Sequence, residues 1–145
     1  MRLTVYLAGE IHSDWRATLR TAAAHLPIDF VAPMENHDQS DAIGEDILGT
    51  QATAALKDDT ASQFNNLRSR VLMTRSDLVI AYFGEKFKQW NTAMDAGQAL
   101  ATGKPLILIN DGASSHALKE LSNRAQATVY TIEQAVQALG YIVKQ

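Results

Sequence analysis

The feature that most constrains the fold is a strand, a loop, a helix and a second strand in the middle of the chain. The β-favouring apolar run 78–83 leads into a polar loop, the small-residue helical segment 91–102 and the apolar run 106–109. Gly103 favours a left-handed helix end, and Pro105 prevents the helix from continuing. Two apolar strands joined through a helix form a βαβ unit, in which the strands are parallel.

Strands and helices also alternate along the rest of the chain. Short β-favouring runs predict further strands at 3–7, 29–32 and 128–130. The polar stretch 33–53 predicts a long loop, of the kind that is either functional or mobile. Capping residues and apolar spacing also predict four further helices. The first is capped at Ser13, has Asp14 in its first turn and ends near Pro27. Another runs from Asp58 or Asp59 through Leu72, one covers about 117–125 behind Ser114 or Ser115, and the last opens at Thr131.

This alternation predicts an α/β fold of the flavodoxin-like type, a doubly wound three-layer sandwich around a five-stranded parallel sheet. In the order 2-1-3-4-5, the first and third strands are neighbours, and a ligand crevice opens beyond their carboxyl ends. The loops 9–14 and 84–91 are therefore expected to lie together there. A length of 145 residues fits a single domain over 1–145.

Composition favours a small-molecule partner. A net charge of -3 argues against binding to a nucleic-acid backbone, which requires a basic patch. No apolar run is long enough for a membrane span, and no secretory leader precedes the first strand, so we expect a cytoplasmic protein. The absence of cysteine excludes disulfides and thiol catalysis. Neither a G-x-G-x-x-G pattern nor a Walker pattern occurs, and no cofactor is expected.

Asp95 is the first candidate for chemistry. It lies about one turn inside the helix after the third strand, and helical side chains tilt towards the N-terminus, so its carboxylate would lean towards the crevice. The alternative is an ordinary acidic residue on a solvated stripe, placed early in a helix for dipole reasons. The polar row comprises Asn91, Asp95, Gln98 and Thr102, and the face predicted to pack on the sheet comprises Ala93, Met94, Gly97, Leu100 and Ala101.

Three strings carry a resemblance to a known family. Residues 6–9 (Tyr-Leu-Ala-Gly), 76–81 (Ser-Asp-Leu-Val-Ile-Ala) and 92–105 (Thr-Ala-Met-Asp-Ala-Gly through Gly-Lys-Pro) resemble successive motifs of the nucleoside 2-deoxyribosyltransferase superfamily. More narrowly, 5–16 and 83–91 resemble the YtoQ family within that superfamily. The likeness spans most of the chain.

The resemblance implies a flavodoxin-like fold, oligomers with active sites at subunit borders, and cleavage of a nucleoside N-glycosidic bond. In the transferases a glutamate attacks the anomeric carbon, and a second base or water resolves the glycosyl-enzyme. Asp95 stands at the position of that glutamate. Tyr6 matches the tyrosine that orients the nucleophile, although it is equally an ordinary aromatic residue in a strand.

The chain departs from this pattern at three places. Asp95 reaches about one carbon less far than a glutamate, and small misplacements of a reacting group are costly in rate. Ser69 stands where the superfamily carries an aspartate, and Gln89 stands near the place of a further acidic residue. These departures indicate a rebuilt pocket.

The rebuilt pocket has its own candidates. Glu10 or His12 could donate a proton to a leaving base, or His12 could simply hydrogen-bond within its loop. Trp90 and Trp15 could stack on a nucleobase or serve as packing residues. The remaining expected substrate-binding residues are Gly9, Arg68, Ser69, Gly84 and Asn91. Arg68, Arg70, Lys86 and Lys88, with the amides that open the first helix, could receive a phosphate, although the lysines also suit a solvated loop.

The acidic loop around His37 has the composition of a metal site without a recognised ligand spacing. Glu35, Asp38 and Asp41 surround this histidine, and a solvated acidic loop explains them better than a metal site, so no metal is expected. The leading hypothesis is an enzyme of nucleoside or nucleotide N-glycosidic cleavage or 2-deoxyribosyl transfer. The alternative is a noncatalytic nucleoside- or nucleotide-binding sensor, which an isolated Asp95 with no acid within about 5 Å would favour.

Overall fold

The fold is built on one parallel sheet. The computed structural model of the chain describes residues 1–86, 88–113 and 115–145. The strands follow the order β2-β1-β3-β4-β5, and every neighbouring pair is parallel, which confirms the predicted flavodoxin-like topology. The strands are β1 (Leu3–Ala8), β2 (Ile28–Val31), β3 (Leu78–Phe83), β4 (Leu106–Asn110) and β5 (Ala127–Val129).

Helices cover both faces of the sheet. The helices α1 and α6 contact each other on one face, whereas α3, α4 and α5 cover the other, and α2 packs on α3. No helix in the described ranges is both long and apolar enough to cross a membrane. The helices are α1 (Trp15–Ala22), α2 (His37–Leu48), α3 (Ala54–Arg75), α4 (Trp90–Ala101), α5 (Lys119–Arg124) and α6 (Ile132–Val143).

Two apolar cores lie on the two faces, and β1 contributes to both. Val5 and Leu7 point into the core under α1 and α6, while Tyr6 and Ala8 point into the core under α3 and α4. Alternate side chains of a strand point to opposite faces, so a strand covered on both sides is apolar throughout. The same alternation directs the Tyr6 side chain towards α4, the helix that carries Asp95.

The prediction of a long loop at 33–53 is wrong, because most of this stretch forms α2. Asn36 caps this helix, since its side chain accepts a hydrogen bond of 2.9 Å from the Gln39 amide. Gly49, with a φ of 88°, ends it. The many polar side chains concealed the helix because its stability depends on packing against α3, at Gly44, and not on an apolar stripe.

Several predicted helix boundaries also shift. The helix α1 begins after Asp14 and ends at Ala22, well before Pro27. The helix α3 starts at Ala54, because the Thr53 hydroxyl accepts the Leu56 amide at 3.1 Å. The cap at Thr131 is confirmed by a 3.1 Å bond from the Gln134 amide. Ser114, one of two predicted caps for α5, lies outside the described residues, as does Phe87 in the loop after β3.

The buried face of α4 differs from the predicted one. Thr92, Ala96 and Ala99 are buried against the sheet, whereas Met94 is 54% exposed. The predicted row, which contains Met94 and Leu100, and the observed buried row both have helical spacing. The prediction chose the row with the larger apolar side chains. The close approach of α4 to β3 instead selects small side chains, which leaves Asp95 beside the buried row and partly buried.

Gly44→Ala is expected to lower the free energy of unfolding by about 1–3 kcal/mol, because an added methyl group overpacks the contact between α2 and α3. A Cβ at this position would lie 2.5 Å from the Ala61 nitrogen and 2.6 Å from the Thr60 carbonyl carbon. Gly97→Ala is the matched control, since a Cβ there meets nothing within 4 Å. Chemical denaturation should show the control equal to or more stable than the wild type; equal losses in both variants would contradict the packing argument.

Candidate functional site

A cavity of about 690 Å³ opens at the carboxyl edge of the sheet on the face of α3 and α4. The loop after β1, the first turns of α2, the middle of α3 and the first half of α4 form its walls. Its position beyond β1 and β3 is the ligand crevice of this topology. Six predicted site residues line it together: Gly9, Glu10, His12, Ser69, Asn91 and Asp95.

The Asp95 carboxylate lies partly buried in this cavity next to a fully buried tyrosine. The Tyr6 hydroxyl donates a long hydrogen bond of 3.4 Å to Asp95 Oδ2. Burial raises the pKa of Asp95 to about 6, while the Tyr6 hydrogen bond and the charge of Arg16 partly oppose the rise. The carboxylate is therefore mostly ionised at neutral pH and takes up a proton in mildly acidic solution.

Tyr6 connects Asp95 to Ser69. Burial, followed by the negative charge of Asp95, raises the pKa of the Tyr6 phenol, and a hydrogen bond with the Ser69 side chain partly opposes this rise. Tyr6 therefore keeps its proton and acts as a hydrogen-bond donor. The serine that stands in the place of an expected aspartate contacts the tyrosine that holds Asp95.

Arg16 is the site residue that sequence reasoning missed. Its side chain is 2% exposed, and its guanidinium donates to the carbonyl oxygens of Leu7 at 3.1 and 3.2 Å, Gly9 at 2.6 Å and Glu10 at 2.6 Å. Burial lowers the pKa of Arg16. The sequence signal for a buried Arg16 was its place directly after Trp15, which is an apolar position of a helix predicted to cover the sheet.

The Glu10 carboxylate faces its own loop. It accepts the backbone amide of His12 at 2.5 Å, the amide of Ser13 at 3.0 Å and the Ser13 hydroxyl. Both carboxylate oxygens are thus occupied as acceptors by donors of the same loop. These contacts give no support to Glu10 as the proton donor.

Three predicted binding residues lie away from the larger cavity. Gly84 lines a separate cavity of about 330 Å³ that shares Glu10 and Gln89 with the larger one. Trp90 is 74% exposed, with Lys88 Nζ 5.2 Å from the centre of its ring. Arg68 donates to the Ala32 carbonyl at 2.5 Å.

Trp15 is a packing residue. It is 3% exposed and stacks on Tyr82, with 4.8 Å between ring centres. Its indole nitrogen donates to the Glu10 carbonyl at 3.0 Å. A Cβ at Gly9 would lie 2.5 Å from this indole, so the close approach requires glycine at that position.

Two histidines meet at the mouth of the larger cavity. The His12 and His37 rings lie 5.3 Å apart, and His37 Nδ1 lies 3.6 Å from an Asp41 carboxylate oxygen. Within the described ranges, no group of three or more histidine, cysteine or acidic side chains has a geometry that could hold a metal ion. Both histidine rings line the cavity, where their nitrogens could hydrogen-bond to a ligand.

Asp95→Asn is expected to stabilise the protein at neutral pH. Because the folded-state pKa of about 6 exceeds the ordinary 3.8, the stability linked to this group is complete below about pH 4 and is lost as pH rises through 6. The asparagine variant should therefore gain about 2–3 kcal/mol near pH 7.5 and almost nothing near pH 4, measured by denaturant unfolding. The exposed Asp58→Asn serves as the control, and an equal gain at both pH values would contradict a desolvated carboxylate.

Two solved structures share the fold. A conserved protein from Enterococcus faecalis V583 superposes with a TM-score of 0.64 and 19% identity, covering 98% of this chain and 99% of that one. A 2-deoxyribosyltransferase from the psychrotolerant bacterium Bacillus psychrosaccharolyticus superposes with a TM-score of 0.63 and 14% identity, covering 94% of this chain and 95% of that one. At such identities the likeness shows the architecture alone.

Sequence similarity identifies the family. The protein called "Uncharacterized protein YtoQ" in Bacillus subtilis (strain 168) is 60% identical over 144 residues, which cover 98% of this chain and 97% of that protein. The family model described as "Nucleoside 2-deoxyribosyltransferase YtoQ" matches residues 6–143. These matches confirm the YtoQ resemblance predicted from 5–16 and 83–91, and the chain belongs to the YtoQ family.

Proposed function

We propose that this protein binds a nucleoside in the larger cavity and breaks its N-glycosidic bond with Asp95 as the nucleophile. The observation that carries the proposal is a partly buried carboxylate that lines a cavity of about 690 Å³ and is held by a buried tyrosine hydroxyl. Perturbed carboxylates in clefts are typical of catalytic sites. Membership of the family supports the same chemistry.

The proposed reaction has two steps. An ionised Asp95 oxygen attacks the anomeric carbon, the carbon–nitrogen bond breaks, and the base leaves with the bonding electron pair and takes up a proton. Water, or a second base, then attacks the anomeric carbon and releases the Asp95 carboxylate. With water the outcome is hydrolysis, and with a base it is transfer of the sugar.

Tyr6 is proposed to aim the carboxylate. Its hydroxyl binds one oxygen of Asp95, and its protonated state follows from its burial. The other carboxylate oxygen, Oδ1, is then the attacking atom. Because aspartate is shorter than glutamate, the sugar must approach α4 closely, and small errors in this placement would be costly.

His12 is the better supported proton donor to the leaving base. It lines the larger cavity, and histidine is the side chain that most often transfers protons in enzymes. Glu10 is the other candidate, but its carboxylate oxygens accept bonds from the loop. We therefore assign proton donation to His12.

One observation favours the noncatalytic alternative. Burial, Tyr6 and Arg16 account for the shifted pKa of Asp95, and no second carboxylate contributes among the described residues. Retaining glycosidases generally pair the nucleophile with a second acid about 5 Å away. A site that bound nucleosides without cleaving them would need no such pair.

Purified protein is expected to release free base from at least one member of a panel of nucleosides, while Asp95→Asn loses at least about a thousandfold in rate because the nucleophile is gone. Chromatography measures the base released. The variant should remain folded and bind the same nucleoside. Binding by both proteins without release by either would contradict the enzyme and support the binding module.

The rate should depend on pH through Asp95. Because Asp95 must be ionised while the proton donor must keep its proton, kcat/KM should pass through a maximum, and the midpoint of its rise should lie near pH 6. Tyr6→Phe removes a hydrogen bond that lowers the pKa of Asp95, so its midpoint should move to higher pH. An unchanged midpoint in folded Tyr6→Phe would show that this bond does not tune the nucleophile.

A further inference from the structure

The Gln89 side chain carries a buried hydrogen-bond donor without an acceptor. Gln89 directly precedes α4, and its Oε1 accepts a hydrogen bond of 2.9 Å from the Thr92 hydroxyl. Its Nε2 is buried, and among the buried side-chain nitrogen and oxygen atoms of the described ranges it alone has no hydrogen-bond partner. Because nearly all buried donors in folded proteins are paired, this exception requires a physical reason.

The structural contacts of Gln89 use its oxygens and leave its nitrogen unused. Thr92 is 3% exposed and is the third residue of α4. A threonine hydroxyl has a single proton, and this proton goes to Oε1, so the helix uses the acceptor end of the Gln89 amide. The Gln89 carbonyl oxygen also serves α4, because it accepts the Ala93 amide at 2.9 Å. The two N–H groups of Nε2 take no part in holding this helix end.

Gln89 lies where the two cavities meet. It lines both the larger cavity of about 690 Å³ and the smaller one of about 330 Å³, and Glu10 is the other residue common to the two linings. Asp95 lines the larger cavity together with Gln89. The Glu10 carboxylate accepts bonds from its own loop, so among the described residues the unused donor at this boundary is the Gln89 amide.

The Gln89 amide can reach a ligand at this boundary. The residue as a whole is partly exposed, and the terminal torsion of a glutamine is soft, so a small rotation turns the N–H groups of Nε2 towards the cavities. A buried donor without a partner destabilises the free protein, and this cost disappears when a ligand supplies an acceptor. The gain on binding is therefore larger than for an exposed amide, which already bonds to water.

We propose that Gln89 is a ligand-binding residue whose Nε2 donates a hydrogen bond to an oxygen atom of a nucleoside at the boundary between the two cavities. This inference rests on the proposed function for its class of ligand. The oxygen is a carbonyl of the base or a hydroxyl of the sugar, because both accept hydrogen bonds from an amide. An amide does not titrate, so Gln89 recognises the nucleoside and takes no part in proton transfer. The bound nucleoside then extends from Asp95 to the entrance of the smaller cavity.

Three variants separate this contact from the structural contacts of Gln89. Gln89→Glu keeps an acceptor for the Thr92 hydroxyl but replaces the donor by a second acceptor, and Gln89→Met removes the amide at similar side-chain length. Gln98→Met is the matched control, because Gln98 belongs to the same helix and is not among the residues that line either cavity. Without ligand, Gln89→Met should unfold thermally at the wild-type temperature or above it, since the unpaired donor is removed with the amide.

Isothermal titration calorimetry compares 2′-deoxyinosine and 2′-deoxyuridine with analogues that lack, in turn, a carbonyl of the base, the 3′-hydroxyl or the 5′-hydroxyl. The wild type should bind one of these nucleosides at least about tenfold more tightly than one of its analogues, because the analogue leaves the donor unpaired. Both Gln89 variants should bind that nucleoside at least about tenfold more weakly than the wild type and should lose the preference, whereas Gln98→Met should keep both. The analogue that the wild type rejects identifies the oxygen that Gln89 binds.

An unchanged affinity in folded Gln89→Met, or an equal loss of affinity for a nucleoside and all its analogues, would overturn the proposal. If Gln89→Met does not fold, Gln89→Glu decides by the same criteria. Release of base by the wild type with an unchanged KM in both Gln89 variants would overturn this inference and leave the proposed function standing. Loss of the preference in the variants, without release of base by any protein, would support Gln89 as a ligand-binding residue and overturn the cleavage. Failure of the wild type to bind either nucleoside would overturn this inference, while base release from another nucleoside would still support the proposed function.

Discussion

A buried guanidinium holds the carboxyl end of the first strand, and the site depends on it. The Arg16 side chain donates to the backbone carbonyl of Leu7, near the end of β1, and to those of Gly9 and Glu10 in the loop that follows. Burying a charge is costly unless it is well hydrogen-bonded, so this arrangement persists only with the loop in one conformation. That conformation places the Glu10 and His12 side chains, and it brings a positive charge near Asp95.

Opposed effects act on the ionisation of the Asp95 carboxylate. Burial beside the α4 helix disfavours its ionised form, while Tyr6 and Arg16 favour it. The result is a group that is ionised at neutral pH yet destabilises the fold in that state. Such a cost at a cavity is typical of functional sites, where local stability and chemical readiness conflict.

The sheet could be predicted from the sequence because local propensity, turn residues and strand alternation agree around Gly103 and Pro105. The helix α2 could not, because its stability comes from contact with α3 at Gly44. Asp95 could be proposed from its place in the helix after the third strand and Tyr6 from the family resemblance, and their contact follows from strand alternation. Arg16 and the bonds of Glu10 were missed because both depend on the path of one loop, which no periodic pattern encodes.

The helices α2 and α3 are in close contact at Gly44 and lie further apart towards His37. The two backbones touch at Gly44, the Asn65 side chain bridges to the Ser40 carbonyl at 2.9 Å, and at His37 the space between them belongs to the larger cavity. Gly44 stands about two turns, or roughly 10 Å, from His37. The spacing of α2 and α3 at the cavity therefore depends on the absence of a side chain at Gly44, which is not one of the residues that line the cavity. A substitution at this contact can change the width of the cavity without changing any residue of its lining.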